Sequence, residues 1–164
     1  MVMANRPAGP LQTKRGRTAA GRIAGIGLLL GLALAFHPDS GQGQNGWRII
    51  VHRSNPVSDV SRDQMARLFL KKALAWPDGR PAAPVDLPED SPARVAFSRV
   101  VLGKSIAAVK AYWQQQIFSG KAVPPPEQAT DEQVVRFVAG NPLAVGYVSA
   151  GAQLPGVKVV RLVD

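Results

Sequence analysis

The residues best placed for chemistry lie between Asp86 and Phe97, in the run Asp-Leu-Pro-Glu-Asp-Ser-Pro-Ala-Arg-Val-Ala-Phe. Ser91 followed by Pro92 is the preferred opening of a helix, with serine as N-cap and proline in the first turn, where its missing N–H is no loss. A helix start presents free backbone N–H groups and a partial positive charge, and this is the cheapest anion site an α/β protein can build. Ser91, Ala93 and Arg94 are therefore the candidate ligands for a small oxyanion. Asp86, Glu89 and Asp90 oppose that chemistry: at an effective dielectric near 20, one unscreened carboxylate within about 5 Å of the anion costs on the order of 3 kcal/mol. The same residues also describe a plain helix cap, with acidic groups complementing the dipole.

Catalytic material is sparse. His37 and His52 are the only histidines, and neither has a serine or cysteine partner at motif spacing, so no hydrolytic triad is expected. Without cysteine, and with Glu89 and Asp90 merely adjacent, no metal site is expected either. The chain is read as a non-enzyme that needs no cofactor.

Around this segment, hydrophobic periodicity and turn residues outline the elements that position it. Trp47–Val51 is a short β-branched strand. Ser61 to Gln64 has the form of a capping box, with Val60 and Met65 as staple and Met65, Leu68 and Phe69 facing inward. Residues 83–87 form a second strand, and the helix from Ser91 carries Val95, Ala96, Val100 and Val101 as its apolar stripe up to Gly103. A further helix spans about 105–117. Thr130 to Gln133 is a second capping box, opening a helix with Val134, Val135 and Val138 inward and Gly140 at its end. Strands at 144–149 and 157–163 close the chain, with Gly146 read as a point of close backbone approach. Trp76, Tyr112, Trp113 and Phe118 are read as core and helix-edge residues. Alternation of strands and helices predicts an α/β domain with a mixed, mostly parallel sheet flanked by helices.

The N-terminus reads differently. Arg6, Lys14, Arg15, Arg17 and Arg22 precede an apolar and glycine run of 14 residues, Ile23 to Phe36, shorter than the roughly 20 that span a bilayer. This is the layout of a signal peptide over 1–35, with an uncleaved membrane anchor as the alternative. Residues 36–46 then form a flexible leader and 47–164 a single domain. The net charge of +9 falls to +4 once residues 1–35 are set aside. No basic stripe interleaved with aromatics remains, so nucleic acid is not an expected partner. A periplasmic location follows from the export layout, with attachment to the inner membrane as the alternative.

Three segments, in order, carry a family resemblance. Pro56 to Ser61, Leu68-Phe69-Leu70 and Trp76-Pro77-Asp78-Gly79 resemble the "(S)xLSxxQLxxIFxGxxxxW" segment of the phosphate-binding proteins of bacterial ABC transporters. Ser91 to Phe97 falls where that family has its Ser-Gly-Thr loop and helix, and Asn141 to Val148 is similar to its "PGAIGYV" segment. The resemblance implies one periplasmic-binding-protein-like lobe, the second of the two such proteins use, with a solute-binding role for phosphate or another small oxyanion. It also implies that a partner protein or a second copy supplies the missing lobe. An envelope interaction or signalling module without ligand binding is the alternative. Relative to the family, Pro92 stands in place of glycine and removes an N–H, and Ala93 stands in place of threonine and removes a hydroxyl.

Overall fold

A computed structural model describes residues 46–164. The expected export segment, 1–35, and all of the leader except Gly46 lie outside the described residues. The elements are β1 (Trp47–His52), β2 (Asp59–Ser61), α1 (Arg62–Phe69), β3 (Ala83–Pro84), α2 (Pro92–Val100), α3 (Ile106–Phe118), α4 (Asp131–Ala139), β4 (Ala144–Ser149) and β5 (Val157–Val163).

The five strands form one sheet in the order β2-β5-β1-β4-β3. β2 runs parallel to β5 and β3 parallel to β4, while β1 lies antiparallel between β4 and β5. Four strands therefore share one direction and the central one opposes them, so the expected mixed sheet is present, with two parallel and two antiparallel pairings. One consequence matters for the site: the carboxyl ends of β3 and β4 come out at the same edge.

β4 is buried over five of its six residues, as a strand covered on both faces must be. Successive residues of a strand point to opposite faces, and Gly146 and Tyr147 show what lies on each. A Cβ at Gly146 would come within 2.8 Å of Val134 Cγ1 and 2.9 Å of Val85 Cγ1, so α4 presses directly on this backbone and only glycine fits. On the other face the Tyr147 ring stacks on Phe97 of α2, with centroids 3.9 Å apart and planes 5° from parallel. Phe69 of α1 and Trp47 of β1 complete that aromatic cluster, at 4.7 Å and 5.2 Å from the Phe97 ring.

Two expectations need correction. The inward face of α2 is Ala93, Arg94, Phe97 and Ser98, continued by Val101, whereas Val95 is exposed and Ala96 and Val100 are half-buried. The stripe is rotated because Arg94, a residue that normally faces solvent, points into the core. Phe118, expected to pack, is 92% exposed. Five residues beyond Trp113, it sits about 140° around α3 from the Val109–Trp113 face.

The capping box at Ser61 is complete, with Ser61 Oγ accepting Gln64 N–H and Gln64 Oε1 accepting Ser61 N–H. At α4, Thr130 Oγ1 accepts Gln133 N–H at 3.3 Å, but Gln133 Oε1 takes the Ala129 N–H instead of that of the N-cap.

Candidate functional site

The approach to α2 is held from both sides. Val85 N–H donates to Val145 O, and Asp86 is tied to the segment after the triple proline by Asp86 N–H to Pro126 O and Gln128 N–H to Asp86 O, all at 2.9 Å. The chain then turns through Leu87 and Pro88, and Ser91 N–H closes the turn on Pro88 O at 3.0 Å.

Behind this loop lies a buried polar cluster. The Asp86 carboxylate accepts Leu87 N–H at 3.0 Å, receives the Tyr147 hydroxyl and forms an ion pair with Arg94 Nη1. The Asp86 and Arg94 side chains are each 4% exposed. Arg94 Nη1 also lies 3.4 Å from Tyr147 Oη. A buried charge is tolerated only when paired and hydrogen-bonded, which Asp86 and Tyr147 accomplish for Arg94. The cation nearest the start of α2 is thus neutralised from within the core.

Burial pushes the Tyr147 phenol well above its usual range, with the Arg94 charge pulling the other way. The unfolded chain releases this proton first as pH rises. Its contribution to stability is therefore complete below about pH 10 and declines above it, by about 1.4 kcal/mol per pH unit. Denaturant midpoints followed from about pH 8 to 11 should show this alkaline loss, and Tyr147→Phe should make the curve measurably flatter.

In front of the loop, the starts of α2 and α4 converge on a hollow of about 310 Å³, lined by Leu87, Pro88, Asp90, Ser91, Pro92, Ala129, Thr130, Asp131 and Ser149. It lies beyond the carboxyl ends of β3 and β4, the position at which open α/β sheets bind ligands. Asp131 Oδ1 accepts Ser149 N–H at 3.1 Å and pins the end of β4 to the start of α4.

Ser91 is the N-cap of α2, and its Oγ accepts Arg94 N–H at a long 3.5 Å. Ala93 is buried directly behind it, and its N–H has no acceptor among the described residues. Arg94 contributes only its backbone to this side, its guanidinium being committed to Asp86. Of the two loop acids, Glu89 turns to Lys110 of α3 at 3.6 Å, and Asp90 stays at the hollow. On the α4 side, hydrogen bonding from the Thr130 side chain holds the Glu132 carboxyl below its usual range. Thr130 Oγ1 is already in use as the acceptor of Gln133 N–H. Thr130, Asp131 and Ser149 escaped the sequence reading as site residues. The second capping motif marked α4, but only the sheet topology reveals that its start faces Ser91.

His52 is not brought to any of these groups. Its Nδ1 meets Ser54 Oγ at 2.7 Å in the turn after β1, an exposed local contact. Among the described residues no group of three potential metal ligands occurs.

No family model matches the sequence, and no curated protein is similar to it. Solved structures are similar. A Clostridium perfringens protein described as a phosphate ABC transporter substrate-binding protein, solved with phosphate bound, shares 23% identity. The match covers 71% of this chain and 44% of that one, with a TM-score of 0.57. An ABC-type phosphate transport receptor from Vibrio cholerae shares 20%, over 71% and 46%, with a TM-score of 0.56. PstS from Borrelia burgdorferi shares 9%, over 71% and 47%, with a TM-score of 0.54. The chain spans under half the length of each of these structures. The resemblance read from three short segments is borne out as a fold: residues 46–164 form an α/β unit of the periplasmic-binding-protein kind, similar to part of the phosphate ABC transporter substrate-binding proteins.

Proposed function

We propose that this chain is an exported, non-catalytic, single-lobe solute-binding domain that takes phosphate or another small oxyanion in ABC-transport-related binding. The observation carrying this reading is the convergence of two helix starts on one hollow at the carboxyl ends of β3 and β4. The structural likeness to a protein solved with bound phosphate supports it. The donors are the Ser91 hydroxyl and the N–H groups of Ala93 and Arg94, the last released when Ser91 turns from its capping contact to the ligand. The long 3.5 Å geometry of that contact leaves little to lose.

Affinity is low for three reasons. Pro92 has no N–H to give, the Arg94 charge is already answered by Asp86, and Asp90 and Asp131 line the same hollow. Binding in the millimolar range, about −4 kcal/mol, is the expected scale. A partner protein or a second copy closing over the hollow would add donors that one lobe lacks. Export to the periplasm rests on the residue pattern before Ala35, and among the described residues no helix is long and apolar enough to cross a membrane.

Calorimetric titration of the full-length chain with phosphate and sulfate tests the proposal. Saturable heat with a millimolar Kd is expected, weakened by Ser91→Ala and strengthened severalfold by Asp90→Asn. The Asp90→Asn gain should shrink as salt is raised, because Asp90 is exposed. Absence of heat and of any thermal shift up to about 50 mM of either anion would remove the reading.

A further inference from the structure

A second cavity, of about 180 Å³, lies among α2, α3 and the segment 124–127, and shares no wall residue with the oxyanion hollow. Arg94 forms part of its wall, together with Glu89, Lys110, Trp113, Pro124 and Glu127. Arg94 Nε–H is buried and has no acceptor among the described residues, although Nη1 is engaged by Asp86 and Tyr147. A buried donor on a charged group carries a penalty that an incoming acceptor removes.

The two carboxylates here are not equivalent. Glu89 is taken by Lys110 at 3.6 Å, whereas Glu127 forms no ion pair among the described residues. The position of Glu127 is nevertheless fixed, because its backbone bridges to Asp86 between the two 2.9 Å bonds of Asp86 with Pro126 and Gln128. Trp113, 6% exposed, adds a rigid aromatic wall.

These groups select by charge pattern. A simple oxyanion would satisfy Arg94 Nε–H but meet the Glu127 carboxylate. A simple cation would satisfy Glu127 and leave the Arg94 donor unanswered. A molecule carrying both charges answers both, with its carboxylate toward Arg94 Nε–H and its ammonium toward Glu127 beside the indole. The volume fits a very small molecule and falls below the usual range for drug-sized ligands. We propose that this cavity is a binding site for a small zwitterion of the amino-acid or betaine class, held between Arg94, Glu127 and Trp113. It differs from the oxyanion hollow in ligand and shares with that site only Arg94, whose backbone N–H serves there and whose side-chain Nε–H serves here.

The test is titration of the full-length chain with glycine and with glycine betaine, followed by calorimetry and by tryptophan emission. Saturable binding of at least one probe is expected, with a change in emission that Trp113→Phe abolishes. Glu127→Gln, an exposed substitution that leaves the core untouched, should weaken it by about tenfold or more. Ser91→Ala should not affect it, and Glu127→Gln should not affect phosphate binding, so each site can fail without the other. The proposal is overturned if neither probe saturates up to about 100 mM, which would mean that water alone answers the Arg94 donor, or if Glu127→Gln binds as tightly as the parent.

Discussion

Replacing Asp86 by alanine is expected to lower folding stability by about 3–5 kcal/mol, read as a shift of the denaturant midpoint at unchanged slope. The magnitude comes from what is left behind. Arg94 is fixed on the inward face of α2 between Ala93 and Phe97, with its side chain only 4% exposed. Without the carboxylate, its side chain keeps only the Tyr147 hydroxyl, at 3.4 Å, as a hydrogen-bond partner among the described residues. Tyr147 and the Leu87 N–H each lose an acceptor as well. The double variant Asp86→Leu with Arg94→Met removes both charges and should recover most of the loss, because a well-packed apolar pair replaces a buried ion pair at little or no cost. The two substitutions must therefore be strongly non-additive. A loss below about 1 kcal/mol for Asp86→Ala, or simple additivity in the double variant, would show that the pair is not the buried anchor of α2.

This same pair marks where sequence reasoning reached its limit. The start of α2 was legible because Ser91 and Pro92 state it locally, and the ranges of β4 and β5 were legible because valine-bearing segments following the turn residues Asn141-Pro142 and Pro155-Gly156 state those. The family resemblance was legible for a related reason: Gly146-Tyr147 is needed where α4 presses on the backbone and an aromatic stacks on the other face. The Asp86–Arg94–Tyr147 cluster has no local statement. Asp86 read as one of three loop acids and Arg94 as a cation open to a ligand, and only a tyrosine 61 residues away shows that one carboxylate faces the core. Misplacing Arg94 also rotated the expected stripe of α2. β2 was missed for a similar cause, since three residues become a strand only by pairing with β5 about a hundred positions later.

The second large effect is expected at Phe97. Truncation to alanine should lower stability by about 3–5 kcal/mol, the range for an aromatic side chain removed from a closed core. Phe97 is fully buried and joins four elements, contacting Tyr147 of β4, Trp47 of β1 and Phe69 of α1 from its place on α2. The consequence extends beyond stability. The Tyr147 ring is positioned on one side by this stacking contact, and the hydroxyl of that ring helps to hold Asp86 beneath the start of α2. Loss of the stack should loosen the helix start, seen as faster hydrogen exchange at the α2 amides relative to those of α4. Phe97→Leu retains apolar volume and should lose about half as much stability, yet it too removes the flat face on which Tyr147 rests. Tyr147→Phe makes the opposite separation, keeping the ring and removing only its hydroxyl. If the cluster works as a unit, Phe97→Leu and Tyr147→Phe should each weaken oxyanion binding at Ser91 while the protein remains folded, because both release Asp86 and Arg94 from one geometry. Unchanged binding in both variants would mean that the N-cap at Ser91 holds the start of α2 without support from the core.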